Sequence, residues 1–233
     1  MDELQSIANE WNIPIIEDAA HAVGAKYKGI DIGSISDFTM FSFQAIKHIT
    51  TGDGGMLIIK NKDLIDKAER IRWFGIDRKS KQAGIWENDI TEIGYKYQMT
   101  DIAAAMGIAS LSEFDDQSQI RKSLFQVYEE ELAGCERLRI IGSGYKDREH
   151  AAWLFTVIVE ERYKLQEKLR DNNIESNQVH FRNDRYSIFK EFTNGKVFPN
   201  MDKIEDDYLV LPLHTKMTVE DARRVCSVIK SGW

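Results

Sequence analysis

The chain has 233 residues, of which 42% are hydrophobic, and its 31 basic and 38 acidic side chains give a net charge of −7. This composition is typical of a folded globular protein and excludes a largely disordered chain or a broad basic surface for nucleic acid. No apolar run approaches the roughly 20 residues of a membrane-spanning helix, and the first residues lack the pattern of a signal peptide. Cys135 and Cys226 form no metal-binding pattern, so we expect free thiols in a cytoplasmic protein.

The first 60 residues have the pattern of an α/β fold. Apolar side chains over residues 2–11 recur at the i, i+3, i+4, i+7 spacing of one helical face. A proline stops this helix, and a short apolar strand follows that ends at Asp18. The pattern then predicts a small hairpin or loop over residues 26–33, an aromatic strand over 38–43 and another strand over 56–59. A helix, a short turn and a buried strand that ends in acidic residues indicate a βαβ unit whose first strand is absent. In such parallel sheets ligands bind at the carboxyl ends of the strands.

Helical patterns predominate in the rest of the chain. We expect helices over residues 63–73, 100–111 (capped by Thr100), 112–132, 163–172 and 219–231, a polar loop over 77–89, a strand over 153–160, and a strand or loop over 174–181. The sequence therefore predicts an α/β part in residues 1–111. Residues 112–233 then hold a long linking helix and a small α+β domain.

Three groups of residues at strand ends or turns carry candidate chemistry: Asp18 with His21, Ser42 with Lys47, and the glycine turn of residues 52–55. Each has an ordinary interpretation, since Asp18 can cap a helix, Lys47 can lie in solvent, His21 can be structural and two glycines can form a hairpin turn. Together they match the needs of pyridoxal phosphate. That cofactor takes a Schiff-base lysine, an anion at its pyridinium nitrogen and donors for its phosphate. Such a lysine needs surroundings that lower its pKa.

Three segments carry a specific resemblance. They are IIEDAAHAVGAKYKG (15–29), DFTMFSFQAIKHITTGDGGM (37–56) and GYKYQMTDIAAAMGIASL (94–111). In this order they resemble the DegT/DnrJ/EryC1/StrS family of sugar aminotransferases, and the likeness continues to the last residues of the chain. The resemblance implies a pyridoxal-phosphate enzyme of fold type I, the aspartate aminotransferase-like α/β fold. The chain would then hold part of the large domain and the small C-terminal domain.

The same resemblance assigns roles to individual residues. Lys47 matches the lysine that binds the cofactor covalently and moves protons, and Asp18 matches the aspartate that pairs with the pyridinium nitrogen. His21 takes a position beside the cofactor ring, and Ser42 matches a hydroxyl that contacts the phosphate. Lys96 replaces an asparagine that reaches the cofactor phosphate of the neighbouring subunit, which implies a homodimer. The presence of Lys47 speaks against the dehydratases of this family, in which a histidine replaces the lysine.

The C-terminal part suggests where a substrate binds. His180, Arg182 and Arg185 lie in a region that matches the surroundings of the sugar-nucleotide site in the family. Because a guanidinium fits phosphate geometry, the two arginines are candidate ligands of a diphosphate, with an ordinary charged loop as the alternative. The implied reaction moves an amino group from an amino acid, by family resemblance glutamate, to a nucleotide-linked keto-deoxysugar. His214 is expected to be structural.

Family members are considerably longer than this chain, and a helix like residues 2–11 lies well inside their large domain. The turn that cradles the cofactor phosphate and an aromatic that stacks on the ring precede that helix. We therefore expect a C-terminal portion of such an enzyme, which works as a homodimer or needs a complementing N-terminal fragment. The alternatives are a non-catalytic remnant or subunit, and a sugar dehydratase on the same fold.

Overall fold

The computed structural model describes residues 1–87 and 89–233, and these divide into two units. The first unit contains Met1–Asp115 and Asp147–Ala151, and the second contains Asp116–Lys146 and Ala152–Trp233. The short segment 147–151 therefore belongs to the first unit although it lies inside the second along the chain. Among the described residues, no helix is both long and apolar enough to cross a membrane.

Helices and strands are spread over the whole chain. In chain order they are α1 (Asp2–Trp11), β1 (Ile16–Asp18), β2 (Lys26–Tyr27), β3 (Ile30–Asp31), β4 (Phe38–Ser42), β5 (Gly55–Ile59), α2 (Ile65–Arg72), α3 (Arg78–Gln82), α4 (Asp101–Ser112), α5 (Phe114–Leu132), β6 (Leu138–Ile140), β7 (Arg148–Glu149), β8 (Phe155–Val159), α6 (Arg162–Asp171), α7 (Lys190–Thr193), α8 (Pro199–Asp202), β9 (Tyr208–Leu211) and α9 (Val219–Lys230). Short 3₁₀ turns cover Lys62–Leu64, Asn183–Arg185 and Ser187–Phe189. The helices that the apolar spacing predicts are all present, with ends within about two residues of those expected.

Two three-stranded sheets build the first unit. In one, β1 lies parallel to β4, and β5 lies antiparallel on the other side of β4. In the other, the predicted hairpin of β2 and β3 is confirmed, and β7 adds a third strand to it. The backbone amide of Lys28 also donates to the Asp147 carbonyl at 2.6 Å. Segment 147–151 is thus fixed to the first unit by backbone hydrogen bonds.

Side-chain caps define several helix ends. The Thr100 hydroxyl accepts from the Ala103 amide at 3.2 Å, which confirms the predicted start of α4. A helix that periodicity does not reveal, α3, lies within the predicted loop of residues 77–89, of which residue 88 lies outside the described residues. Asp77 caps it, but its five residues are all polar, so they carry no apolar face to recognise.

The main hydrophobic core lies in the second unit. Strands β6, β8 and β9 form an antiparallel sheet, and buried side chains from α5, α6 and α9 join its strands in one cluster. Tyr128 lies at the centre of this cluster, stacked on Phe155 with 4.6 Å between ring centroids. Its hydroxyl donates to the Pro212 carbonyl at 2.8 Å, so the buried polar atom has a partner. Within the described chain, Cys135 and Cys226 are free thiols, as the sequence predicts.

The first unit also exposes many large apolar side chains. Ile16 on the outer strand β1 is 65% exposed, and Ile102 and Ile108 on α4 are 78% and 71% exposed. Of the residues of α4, all described, none is buried. An apolar surface of this kind is typical of a face that another polypeptide covers.

Candidate functional site

Asp18 and Ser42 share one face at one edge of the β1–β4–β5 sheet. The parallel register pairs Asp18, the last residue of β1, with Met40 of β4. Ser42 ends β4 two residues later, and residues two apart along a strand point to the same face. The structure therefore brings a carboxylate and a hydroxyl together at the carboxyl ends of two parallel strands, where such sheets bind ligands.

Lys47 lies in the connection between β4 and β5, residues 43–54, which we call the lysine loop. The double glycine alone would be typical of a tight hairpin turn, but the structure has this longer loop instead. Its base is closed by the Thr51 amide, which donates to the Phe43 carbonyl at 2.9 Å. Inside it, the Lys47 amide donates to the Gln44 carbonyl at 2.9 Å. The lysine thus has a defined backbone position next to the sheet edge.

Close backbone contacts explain the glycines at the end of the loop. A Cβ atom on Gly55 would lie 2.7 Å from the carbonyl oxygen of Phe41, a distance that real Cβ atoms do not adopt. Gly55 pairs with Ser42 across the antiparallel strands, so any side chain here would disturb the strand that carries Ser42. Gly55 is therefore required by the close approach of β5 to β4 rather than by the conformation of a turn.

Helix α4 packs directly on the lysine loop. A Cβ atom on Gly107 would lie 2.9 Å from the Cγ2 atom of buried Thr51, and the Thr50 amide donates to the Ser110 hydroxyl at 3.2 Å. The Thr51 hydroxyl is itself bonded to the Asp53 carbonyl at 3.0 Å. The small residues of α4 allow this approach.

The surroundings of Lys47 change the pKa of its amine. The side chain is half-buried, and this burial lowers the pKa of the amine, while the Asp18 carboxylate opposes the change with a smaller raising effect. A lysine that attacks an aldehyde must lose its proton, so partial burial makes it a better nucleophile. Asp18 is close enough to act on that charge, and the assignment of both residues to one cofactor site stays a prediction.

The donor set at this edge fits pyridoxal phosphate. The Lys47 amine suits the aldehyde, the Asp18 carboxylate suits the pyridinium nitrogen, and the Ser42 hydroxyl suits a phosphate oxygen. The Ser42 oxygen accepts from the Gln44 amide at 3.3 Å, a contact that leaves its proton to donate elsewhere. None of residues 19–25, all of them described, is helical, so the alternative of Asp18 as a helix cap is wrong. Its oxygen accepts instead from the Ala20 amide at 3.1 Å, and His21 is exposed in the same turn.

In the second unit, Arg182 is held by carboxylates of the chain itself. Its side chain is only 4% exposed and lies 2.7 Å from Asp184, 2.7 Å from Asp202 and 2.8 Å from Glu205. Arg185 pairs with Glu205 at 2.8 Å, and these carboxylates raise the pKa of both guanidinium groups. A diphosphate would have to replace these partners, and its binding by the two arginines stays a prediction. The sequence spacing gave no sign of these carboxylate partners.

His180 lies beside β9 of the second unit. Its backbone amide is 3.2 Å from the Tyr208 hydroxyl, which in turn donates to the His180 carbonyl. Its ring centroid lies 6.2 Å from that of Trp153, with the planes tilted by 34°. The ring is exposed on a backbone held by β9, and its contact with a substrate stays a prediction.

Comparison with known proteins identifies the family. Residues 1–230 match the sequence profile of the DegT/DnrJ/EryC1/StrS aminotransferase family. The chain belongs to this family. The match covers nearly the whole sequence and confirms the resemblance carried by the three motif segments.

Relatives in this aminotransferase family share both sequence and fold with the chain. A UDP-4-amino-4,6-dideoxy-N-acetyl-β-L-altrosamine transaminase of Campylobacter jejuni is 32% identical over 97% of this chain and 60% of its own length. The sugar aminotransferase CalS13 of Micromonospora echinospora matches with a TM-score of 0.91 and 29% identity, over 100% of this chain and 63% of its own. The PLP form of the putative sugar aminotransferase Spr1654 of Streptococcus pneumoniae matches with a TM-score of 0.81 and 30% identity, over 97% and 59%. The fold is therefore that of the fold type I aminotransferases, and the chain spans about three fifths of the length of these relatives.

Lys96 marks a departure from the motif of this aminotransferase family. Its backbone bridges to Trp73, and the Tyr95 amide beside it donates to the Ile71 carbonyl at 2.7 Å. With the Gln98 amide oriented so that its oxygen faces Lys96, Nζ donates to it at 2.9 Å. The side chain is exposed at the end of α2, and its role as a phosphate ligand for a neighbouring subunit stays a prediction.

Proposed function

We propose that this chain carries the lysine site of a pyridoxal-phosphate-dependent sugar aminotransferase. The reaction takes an amino group from an amino acid, by family resemblance glutamate, and gives it to a nucleotide-linked keto-deoxysugar. One observation carries the proposal: a half-buried lysine with a lowered pKa lies within electrostatic range of an aspartate at the carboxyl end of a parallel strand pair. A structural lysine has no need of this arrangement.

Each residue of the site has a distinct task. Pyridoxal phosphate, when bound, supplies the electron sink that makes the substrate's carbon–hydrogen bond acidic. Lys47 would hold the cofactor through its aldehyde, and its Nζ atom, once free of that bond, would accept and return the substrate proton. The Asp18 carboxylate would pair with the pyridinium nitrogen, and the Ser42 hydroxyl would donate to the phosphate. His21, three residues after Asp18, is assigned to the side of the ring.

The substrate class comes from the relatives. The Campylobacter jejuni relative is named as a transaminase of a UDP-linked amino-dideoxy sugar, and the streptococcal relative was solved in a PLP form. Both are about 30% identical to this chain over nearly all of its residues. These likenesses support a nucleotide sugar and the same cofactor for this chain, with His180, Arg182 and Arg185 as candidate substrate ligands.

A second candidate is a subunit that needs another polypeptide to complete its site. The exposed apolar residues Ile16, Ile102 and Ile108 favour this reading, because they mark a surface that a partner would cover. A second copy of the chain and a separate complementing polypeptide are the two candidate partners. Dehydration of a sugar on the same fold is disfavoured by the lysine at position 47.

Borohydride trapping tests the proposal. The chain is incubated with pyridoxal phosphate, reduced, digested and analysed by mass spectrometry for a pyridoxyl group. We expect the label on the Lys47 peptide, no label there in Lys47→Ala, and normal labelling in Lys67→Ala, which removes an exposed lysine of α2. Labelling spread evenly over many lysines would contradict a dedicated site. Absence of any label would favour the second candidate, as would a label that needs an added partner.

The role of Asp18 predicts the direction in which the pKa of Lys47 changes when Asp18 is replaced. Because its carboxylate raises the pKa of Lys47 against the effect of burial, Asp18→Asn lowers that pKa further. The measurement is the pH dependence of Lys47 modification by an amine-reactive reagent, with Asp63→Asn as a matched control on the exposed 3₁₀ turn. An unchanged or raised pKa in Asp18→Asn would mean that the carboxylate does not act on this amine. Amination of a UDP-linked keto sugar with glutamate, followed by product analysis, then tests the reaction itself.

A further inference from the structure

His48, the residue after Lys47, is buried and bonded to a distant part of the chain. It is 7% exposed, and its Nε2 atom lies 2.8 Å from the carbonyl oxygen of Ala151. A carbonyl oxygen can only accept, so the bond requires that Nε2 carries the proton. His48 therefore donates across 103 positions of sequence, from the lysine loop to segment 147–151.

The two groups that contact the His48 ring, the Ala151 carbonyl and the Phe114 ring, both belong to segments with defined positions. Segment 147–151 is held through the pairing of β7 with β2 and through the Lys28 amide, which donates to Asp147. The His48 ring also meets Phe114 edge to face, with 6.4 Å between centroids and 78° between planes. Phe114 is the first residue of α5. The imidazole is thus held between an anchored carbonyl and an aromatic ring, and both lie within the first unit.

The bond completes the attachment of the lysine loop. At its base the loop is closed by the Phe43–Thr51 hydrogen bond, and the Thr50 amide attaches it to Ser110 of α4. His48 supplies a third attachment, on the residue adjacent to Lys47. Since neighbouring residues share a rigid peptide plane, fixing His48 restricts the position from which the Lys47 side chain starts.

We propose that His48 is a positioning residue that holds Lys47 in its half-buried place beside Asp18. This inference rests on the proposed role of Lys47 as the residue that captures the cofactor. Without the donor, the Ala151 carbonyl loses this partner and the loop gains freedom at position 48. The Lys47 amine then spends more time in water. Its pKa is no longer lowered, and the orientation of its side chain is less restricted.

Three single variants of the full chain separate the hydrogen bond from the packing. His48→Phe keeps a ring against Phe114 and removes the donor, whereas His48→Gln keeps an amide donor with comparable reach. His214→Phe is the matched control, because His214 is exposed in the second unit. The first readout is the pH dependence of Lys47 modification by an amine-reactive reagent, read by peptide mass spectrometry. The second is the pyridoxal phosphate concentration that gives half-maximal borohydride trapping on Lys47.

We expect His48→Phe to raise the pKa of Lys47 towards the ordinary lysine value and to weaken trapping about fivefold, the loss typical of one hydrogen bond. His48→Gln should retain both properties within about twofold, and His214→Phe should match the unchanged chain. A merely structural histidine would change overall stability and leave the pH profile of Lys47 where it is. The spectroscopic fold control is far-ultraviolet circular dichroism of each variant.

Two results would overturn the inference: an unchanged Lys47 pH profile in His48→Phe, or a His48→Gln variant as impaired as His48→Phe. If His48→Phe does not fold, His48→Gln against His48→Asn, whose amide has a shorter reach, makes the same comparison. If the unchanged chain traps no cofactor, the proposed function fails for this chain alone. The pH profile of Lys47 still decides the role of His48 in that case, so the two failures are distinguishable.

Discussion

Gly107 offers a sharp test of the packing between α4 and the lysine loop. Replacing it by alanine adds a methyl group that would lie 2.9 Å from the Cγ2 atom of Thr51. Thr51 cannot easily move away, because its side chain is β-branched and buried and its hydroxyl is bonded to Asp53. Gly107→Ala should therefore push the loop away from the helix.

Two opposing effects set the size of the change. Alanine favours the interior of a helix over glycine by about 1 kcal/mol. Forcing an extra methyl group into a packed contact costs about 1–3 kcal/mol. The expected net result of Gly107→Ala is a loss of about 1 kcal/mol in the local stability of the loop. Thr51→Ser removes the Cγ2 methyl group with which the new alanine Cβ would clash. In that background Gly107→Ala should therefore be stabilising by about 1 kcal/mol.

Hydrogen exchange at the Thr51 amide measures this local stability, because that amide is bonded to Phe43 at the base of the loop. The double-mutant cycle of Gly107→Ala and Thr51→Ser should give a coupling of about 2 kcal/mol, which is roughly thirtyfold in protection. Ala105→Gly is the control, since it weakens the same helix at an exposed position. Its effect should add to that of Thr51→Ser without coupling.

Additive effects within about 0.5 kcal/mol would refute the reasoning, because they would mean that Gly107 and Thr51 do not compete for space. Greater protection in Gly107→Ala alone would refute it as well. That result would show that helix propensity outweighs the contact and that the loop is not packed on α4 as described.

Two further predictions concern the core of the second unit. Tyr128→Phe removes a buried hydrogen bond and should lower the free energy of unfolding in urea by about 1 kcal/mol. Because burial raises the pKa of Tyr128 above its usual value, the folded chain keeps this proton when the unfolded chain loses it. The stability difference between the unchanged chain and Tyr128→Phe should therefore shrink above about pH 10, by up to about 1.4 kcal/mol per pH unit, and a difference that stays constant would contradict this. Burial raises the pKa of Cys226 to about 12, so alkylation at pH 8 should be far slower at Cys226 than at Cys135 and become equal only in denaturant. Equal rates in the native chain would show that Cys226 is not protected.

Local signals made much of the frame predictable. The apolar spacing of residues 2–11 predicts α1 with the observed ends, and Thr100 marks the start of α4. The placement of Asp18 at a sheet edge follows from a short strand that ends in acidic residues, whereas the strand predicted over residues 38–43 ends one residue earlier in the structure, at Ser42. Such features depend on neighbours within a few positions, which is the range that periodicity and capping patterns report.

Contacts between distant residues were not predictable in this way. The sequence leaves Arg182 as a candidate diphosphate ligand or as part of an ordinary charged loop, and it does not reveal the ion pairs with Asp202 and Glu205. His48 reaches Ala151 across more than a hundred positions. Ion pairs and single hydrogen bonds of this range leave no periodic trace, because they depend on how the chain folds back rather than on local spacing.

The return of residues 147–151 to the first unit has a consequence for chimaeras. A recombination event with a relative at a single point after residue 115 would replace β7 and Ala151 together with the whole second unit. In such a chimaera the first unit would keep β2 and β3 from this chain. Strand β7 of the same sheet and the carbonyl that accepts from His48 would come from the relative. An intact exchange of the second unit needs crossovers on both sides of residues 147–151. A functional chimaera is therefore expected to need crossover points at three places in this chain rather than one.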